Sequence, residues 1–277
     1  MAPLLTDLDA LKKHRARRGA QGDLFLHEHV ADELHERLQE VNRTFTNVAV
    51  VTGFPDFWGN YFGGAHIIPD TDTLDLSVGA FDLVIHAMTL HWANDPVGQL
   101  VQCRRALKND GLFLGICLGG QTLNELRSVL AQAETALRGG LSPRVAPMGE
   151  VRDLGGLLQR AGLALPVADT TPLQVSYESA LHLMHDLRQM GETNALNMRD
   201  RKPLRRDVLA EATRLYQAHF PADNDRVTAT FELIFLSGWA PDENQQKPLR
   251  PGSAQQRLAD ALGTTEIPAH DPPESSK

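Results

Sequence analysis

Apolar and polar positions change period several times along the chain, and each change marks an element. From Asp7 to Arg18 and from Leu24 to Val41 apolar residues return every three or four positions, the spacing of one helical face. Leu24, Val30, Leu34, Leu38 and Val41 form the stripe of the second helix, and Thr6-Asp7 offers an N-cap for the first. The pattern then breaks into short, continuous apolar runs: Asn47 to Thr52, ending at Gly53; Ala65 to Ile68, stopped by Pro69-Asp70; Phe81 to His86; and Leu112 to Cys117. Runs of that kind suit strands buried on both faces of a parallel sheet. A helix from about Pro96 to Leu107, closed by a Lys-Asn-Asp-Gly turn, makes Phe81 to Cys117 a βαβ crossover.

Downstream, a helix is predicted over Thr122 to Leu137, ended by Gly139-Gly140, and another from Gly149 or Glu150 to Ala161, capped by Gly162. Val167 to Ala168 and Leu173 to Tyr177 read as two strands, Ser179 to Met190 and Arg206 to Gln217 as helices. Val227 to Leu236 alternates like a last strand, with Trp239 just beyond it. The order implies a doubly wound, mostly parallel sheet with an antiparallel edge. The expected division is an N-terminal helical segment at 1–46, a domain at 47–262 elaborated from about 120, and a disordered tail at 263–277.

Composition narrows the classes. The chain has 277 residues, 42% hydrophobic and 22% charged, with a net charge of −8. That balance suits a globular protein and argues against a nonspecific nucleic-acid binder. The basic stretches Lys12–Arg18 and Arg199–Arg206 read as solvated helix faces. Two cysteines, Cys103 and Cys117, fit no disulfide framework or zinc spacing, which suggests a reducing compartment. No apolar run approaches the ~20 residues of a membrane span, so any membrane association would be peripheral. His182 and His185 lie three apart without a third ligand, and no 2-His-1-carboxylate pattern is present, so no metal site is expected.

The phrases TLHWAND, LFLGxxLGGxTLxELR (Leu112–Arg127), AET with GGLSPRVAP (Ala133–Pro147), DLGGLLQRAGL (Asp153–Leu163), DLRQMGETNA (Asp186–Ala195), TATFELIFLSGWAP (Thr228–Pro241) and QQKPLRPGSA (Gln245–Ala254) are distinctive, as is the HRAR that ends the first helix. In them the chain resembles the methyltransferase-like proteins whose mitochondrial member is respiratory complex I assembly factor 5, of the arginine-hydroxylase family, and their alphaproteobacterial relatives. The resemblance implies a class I S-adenosylmethionine-dependent methyltransferase-like, Rossmann-like sheet with an enlarged α+β C-terminal half. It also implies S-adenosylmethionine as cofactor and a respiratory complex I subunit as protein partner. The compartment would be the bacterial cytoplasm or its mitochondrial-matrix equivalent. Two other functions stay open: a methyltransferase of a small molecule or carrier-bound acyl substrate, and a non-catalytic partner-binding relative.

One segment departs from the family. A working cofactor site of this fold has a Gly-rich turn after its first strand, where only glycine lets backbone approach the ligand, and an acid that accepts from the ribose hydroxyls. Here the turn reads VVTGFPDFWGN. Gly53 alone remains, followed by Phe54 and Pro55. The stretch from Val48 to Ile85 has room for about one βαβ span of ~30 residues where the fold needs more than two, so one strand-helix pair is expected to be missing, the second strand and its acid among it. Cofactor binding is then expected to be weak or lost.

The positions matching the cofactor side are Gly53, Asp70, Thr71, Met88 and His91. Asp70 would face the adenine, or merely form a turn after Pro69. Trp92, Arg127, Arg144, Gly191, Glu192, Asn194 and Trp239 are the candidates for substrate or partner. His91 and Trp92 would stand at a strand's carboxyl end, where open α/β sheets bind ligands, or pack inward as a helix staple. Gly191 to Asn194 forms a polar loop or a plain helix cap. Arg127 and Arg144 suit a carboxylate clamp or ordinary ion pairs.

Overall fold

The computed structural model describes residues 4–17, 24–245 and 258–264. The proposed tail from 265 on and most of the QQKPLRPGSA phrase lie outside them. The chain divides into two compact units, Met1–Asp242 and Glu243–Lys277. The second contains one short described helix, Leu258–Ala261. The segments at 1–46 and 47–242 belong to one unit, and the division falls at Asp242, earlier than the expected end near 262.

In the first unit α1 (Leu8–Arg17) and α2 (Phe25–Glu40) precede β1 (Val48–Thr52), α3 (Pro55–Tyr61), β2 (His66–Pro69) and β3 (Phe81–Ala87). A 3-10 turn at Leu90–Trp92 leads to α4 (Pro96–Ala106), β4 (Leu107–Leu118), α5 (Asn124–Arg138) and α6 (Val151–Arg160). Then come β5 (Ala164–Tyr177), α7 (Ala180–Gln189), α8 (Arg206–His219), β6 (Pro221–Ala222) and β7 (Arg226–Trp239). Caps act where the sequence placed them: Asp7 accepts from Ala10 N (3.0 Å), and Gly139 and Gly162 close α5 and α6 with positive φ; Asp95, unmarked in the sequence reading, caps α4 by accepting from Gly98 N (2.8 Å).

The sheet runs β2-β1-β3-β4-β7-β5, with β6 paired to β7. β2, β1, β3 and β4 are mutually parallel; β7 is antiparallel to β4 and to β5. Alternate residues of the parallel strands enter two cores. Val50, Leu83, Ile85 and Leu114 pack with α2, α5, α7 and α8; Ala49, Val51, Val84 and Phe113 pack with α4 and α6. Helices on both faces are why those runs showed no alternation.

Three expectations change. The two strands at Val167–Ala168 and Leu173–Tyr177 are one edge strand, β5, in which Pro172 stands opposite Glu232; an edge strand tolerates a residue without an N–H. The Lys-Asn-Asp-Gly turn is absorbed into β4 as an irregularity, with Asp110 at φ 57°. Trp239 belongs to β7 rather than following it. The helix α3 had no counterpart in the sequence reading.

Among the described residues no helix is long and apolar enough to cross a membrane.

Candidate functional site

Strand register places the candidates. Thr52 pairs with Pro69 on one side and Ala87 on the other. The next residues, Gly53, Asp70 and Met88, therefore leave the sheet side by side at the carboxyl end of the parallel strands, where ligands bind in this type of sheet. Thr52 Oγ1 accepts from Phe54 N (3.0 Å), and Pro55 starts α3 at once. Beside them lies a cleft of about 760 Å³, lined by Gly53, Phe54, Asp70 and Thr71 and roofed by Leu11 and Arg15 of α1. Thr71 also donates through Oγ1 to Thr73 O (2.7 Å).

Arg15 dominates this cleft. Its Nη1 donates to Asp70 Oδ2 at 2.7 Å, its guanidinium lies 5.3 Å from the Phe54 ring centre, and its side chain is only 9% exposed. A Cβ at Gly53 would collide with the same guanidinium. Arg15 Nε and Nη2 are buried without a hydrogen-bond partner among the described residues. Sequence reading missed Arg15; the HRAR phrase was the one signal pointing to it.

A second cavity, about 540 Å³, opens on the other side of the Gly191–Asn194 loop. Leu118, Leu126, Leu130, Met148 and Met184 give it apolar walls, and Trp92, Arg144, Glu192 and Asn194 line it as well. At its floor Glu192 Oε2 accepts from Trp92 Nε1 at 2.7 Å and lies 3.3 Å from His91 Nε2. The Leu118 N–H points at His91 Nδ1 (3.4 Å), which leaves the proton on Nε2, toward Glu192. Burial opposes ionisation of Glu192, but His91, the charge of Arg15 and the Trp92 N–H outweigh it and hold the carboxyl below the usual carboxylate range. Its Oε1 is buried with no hydrogen-bond partner among the described residues.

The loop is shaped by contacts on both sides. Gly191 has φ +76°, and a Cβ there would sit 2.9 Å from Arg15 Cγ and 3.4 Å from Phe54 Cζ. Glycine is needed for the left-handed turn and for this close approach. Asn194 Nδ2 donates to Pro143 O (2.8 Å) and its Oδ1 accepts from Leu196 N (3.0 Å). Arg144 is held by Glu134, whose side chain is fully buried.

The structure thus gathers Trp92, Arg144, Glu192 and Asn194 around one cavity, and Gly53, Asp70 and Thr71 around its neighbour. His91, 1% exposed at its side chain, stands beside Glu192. Trp92 is buried, so the inward-packed alternative holds for its ring while its N–H serves Glu192. Arg127 lies outside the cavity and donates to Gly120 O, Thr122 O and Ala146 O (3.3–3.4 Å), tying the segment after β4 to Ala146. Met88 is 1% exposed and part of the core. Trp239 pairs with Leu112, which lies level with Leu83 near the amino end of β3, and it lies under Arg43 (5.7 Å), toward the opposite end of the parallel strands from both clefts. Among the described residues no group of three His, Cys, Asp or Glu stands close enough to hold a metal ion.

The sheet, the crossover from β3 to β4 and the clefts at the strand ends define a Rossmann-like protein of the class I methyltransferase type. The family model described as a methyltransferase domain matches residues 33–115. The arginine-hydroxylase NDUFAF5, mitochondrial, of Danio rerio is 38% identical over 194 residues, 70% of this chain and 60% of that protein. Its Homo sapiens counterpart is 39% identical over 188 residues, 68% of this chain and 54% of that protein. A Rickettsia prowazekii protein named as a candidate methyltransferase is 31% identical over 160 residues, 58% of this chain and 70% of its own length. The chain belongs to this NDUFAF5-like family of methyltransferase-fold proteins. Its match spans 60% or less of the length of the two mitochondrial relatives.

The superfamily binds S-adenosylmethionine, and the first cleft stands where that group belongs. The residues present do not fit it as arranged. The acid available to accept from a ribose, Asp70, already accepts from Arg15, and the approach over Gly53 is covered by the same side chain.

Proposed function

We propose that the chain works by binding a protein partner, a subunit of a respiratory complex, and that an arginine of that partner enters the 540 Å³ cavity to meet Glu192. The observation that carries this reading is Glu192 Oε1, a buried carboxylate oxygen with no hydrogen-bond partner among the described residues, on a side chain that lines an apolar-walled cavity. A guanidinium would satisfy it with a charge-assisted bond, while its methylene stem would lie against leucine and methionine. The names of the mitochondrial relatives supply the arginine and the matrix-equivalent compartment. Arg144 and Asn194 at the cavity are suited to hold the partner's backbone, and most of the walls come from the enlarged half beyond β4.

On this reading S-adenosylmethionine binding is impaired. Between β1 and β3 the chain carries one helix and one strand, which supports loss of a strand-helix pair from the cofactor half. The β2–β1 pairing brings Asp70 next to the β1 turn, the position suited to a ribose acceptor more than to an adenine contact. The size of the first cleft favours a second reading, a methyltransferase that retains the cofactor.

The test compares acetyl-arginine methylamide with its citrulline counterpart, which has the same shape without the charge, by NMR titration. The wild type should bind the arginine form at least about tenfold better, one charge-assisted hydrogen bond's worth. Glu192→Gln should lose that preference while remaining folded. Equal binding of both ligands by the wild type would sink the reading.

A further inference from the structure

We infer that α1 is a strap over the first cleft, with Arg15 as its latch, and that an adenosyl ligand enters only when Arg15 releases Asp70. This goes beyond the partner reading and does not depend on it.

The two ends of the strap are held differently. Its front is tied to the loop after Asn194 by backbone: Asp7 N donates to Ala195 O (2.8 Å), Asn197 N donates to Leu5 O (2.8 Å), and Thr6 bridges Leu196. Asn94 takes both the N–H and the carbonyl of Thr6, and Arg199 holds Asp7 at 3.0 Å. The far end is held by side chains: Arg15 on Asp70, and His14 Nδ1 at 3.1 Å from Thr193 O. Only Ala10 and Leu11 of α1 are buried. A helix fixed at its front by a backbone ladder and, among the described residues, at its far end by one ion pair and one histidine hydrogen bond can swing from the far end.

The latch site is also poorly satisfied. Arg15 is nine-tenths buried, yet Nε and Nη2 find no hydrogen-bond partner among the described residues, so it gives up water without full compensation. That limits how far the closed state is favoured; a tenfold gain on release corresponds to about one open molecule in ten. In the closed state Arg15 occupies Asp70 Oδ2 and its guanidinium covers the face of Gly53, so an adenosyl ligand has to displace it. The apparent affinity for an adenosyl ligand is then the intrinsic affinity reduced by the fraction of open molecules.

The test is calorimetric titration of the full chain with S-adenosylhomocysteine. Arg15→Ala should bind at least about tenfold more tightly than the wild type. Adding Asp70→Ala to Arg15→Ala should abolish the gain, because it removes the acceptor that the latch and the ribose share. Far-UV circular dichroism checks folding, and Arg15→Gln, which keeps the bulk, stands in if the alanine variant unfolds. Affinity in Arg15→Ala or Arg15→Gln no higher than in the wild type would overturn the latch. So would tight stoichiometric binding by the wild type. Either result leaves the arginine test at Glu192 untouched, so the two readings fail separately.

Discussion

Replacing Glu134 by glutamine should be among the most damaging isosteric changes in the protein. Glu134 sits on α5 with its side chain fully buried. Its carboxylate accepts from Arg144 Nη2 (2.6 Å) and Nε (3.1 Å), from Arg138 Nη1 (2.9 Å) and from Ser142 N (2.9 Å). Burial alone would raise its pKa, but Arg144, the Ser142 N–H and Arg138 outweigh it and hold the group below the usual carboxylate range. An amide would turn a donor toward guanidinium donors and leave Arg144, 14% exposed, with only the longer 3.7 Å contact to Asp200 as a charge partner among the described residues. Breaking a buried pair from one side costs about 3–5 kcal/mol. In a domain of this size ~1 kcal/mol moves Tm by about 2–4 °C, so a fall of roughly 6–20 °C is expected. The sign of the pH dependence follows from the depressed folded pKa. The stabilisation is complete above the unfolded value of about 4.3 and is lost as pH falls through the folded one. The gap between wild type and Glu134→Gln in urea unfolding should therefore be constant near neutrality and close in acid. A loss under ~1 kcal/mol at pH 7, or a gap that widens on acidification, would show that this carboxylate does not anchor the loop carrying Arg144.

Two further outcomes check other parts of the structure. Trp92→Phe removes one donor to Glu192 and should lower stability by about 1.5–3 kcal/mol in urea unfolding, the worth of a bond to a charged group; an unchanged midpoint would mean that the Trp92–Glu192 bond is absent in solution. Cys103 and Cys117 are both buried, with thiol pKa values pushed up to about 12 by burial. Ellman's reagent at pH 8 should therefore label neither in the native protein and both in denaturant, and rapid native labelling would contradict the packing of α4 and β4.

Sequence reading went furthest where a local rule suffices. The strands β1, β3 and β4 were legible because burial on both faces demands an unbroken apolar run. The helices α4, α5 and α6 were legible because Pro96, Gly139 and Gly162 punctuate them. α3 was not, since seven residues rich in aromatics, PDFWGNY, show no helical period. The single strand β5 was hidden by Pro172, whose missing N–H costs little at an edge that only the completed sheet defines.

The site divides along the same line. By itself the sequence determined the fold type, the family and the candidates Trp92, Arg144, Glu192 and Asn194, because distinctive phrases carry them and polar residues beside glycine are visible one at a time. The tertiary structure alone decided that these four share a cavity, that Trp239 stands at the other end of the sheet, and that Arg15 reaches Asp70 across 55 positions. A hydrogen bond between distant residues leaves no period in either segment. An arginine on a short amphipathic helix reads as a solvated charge until the helix is seen lying across the ends of the strands.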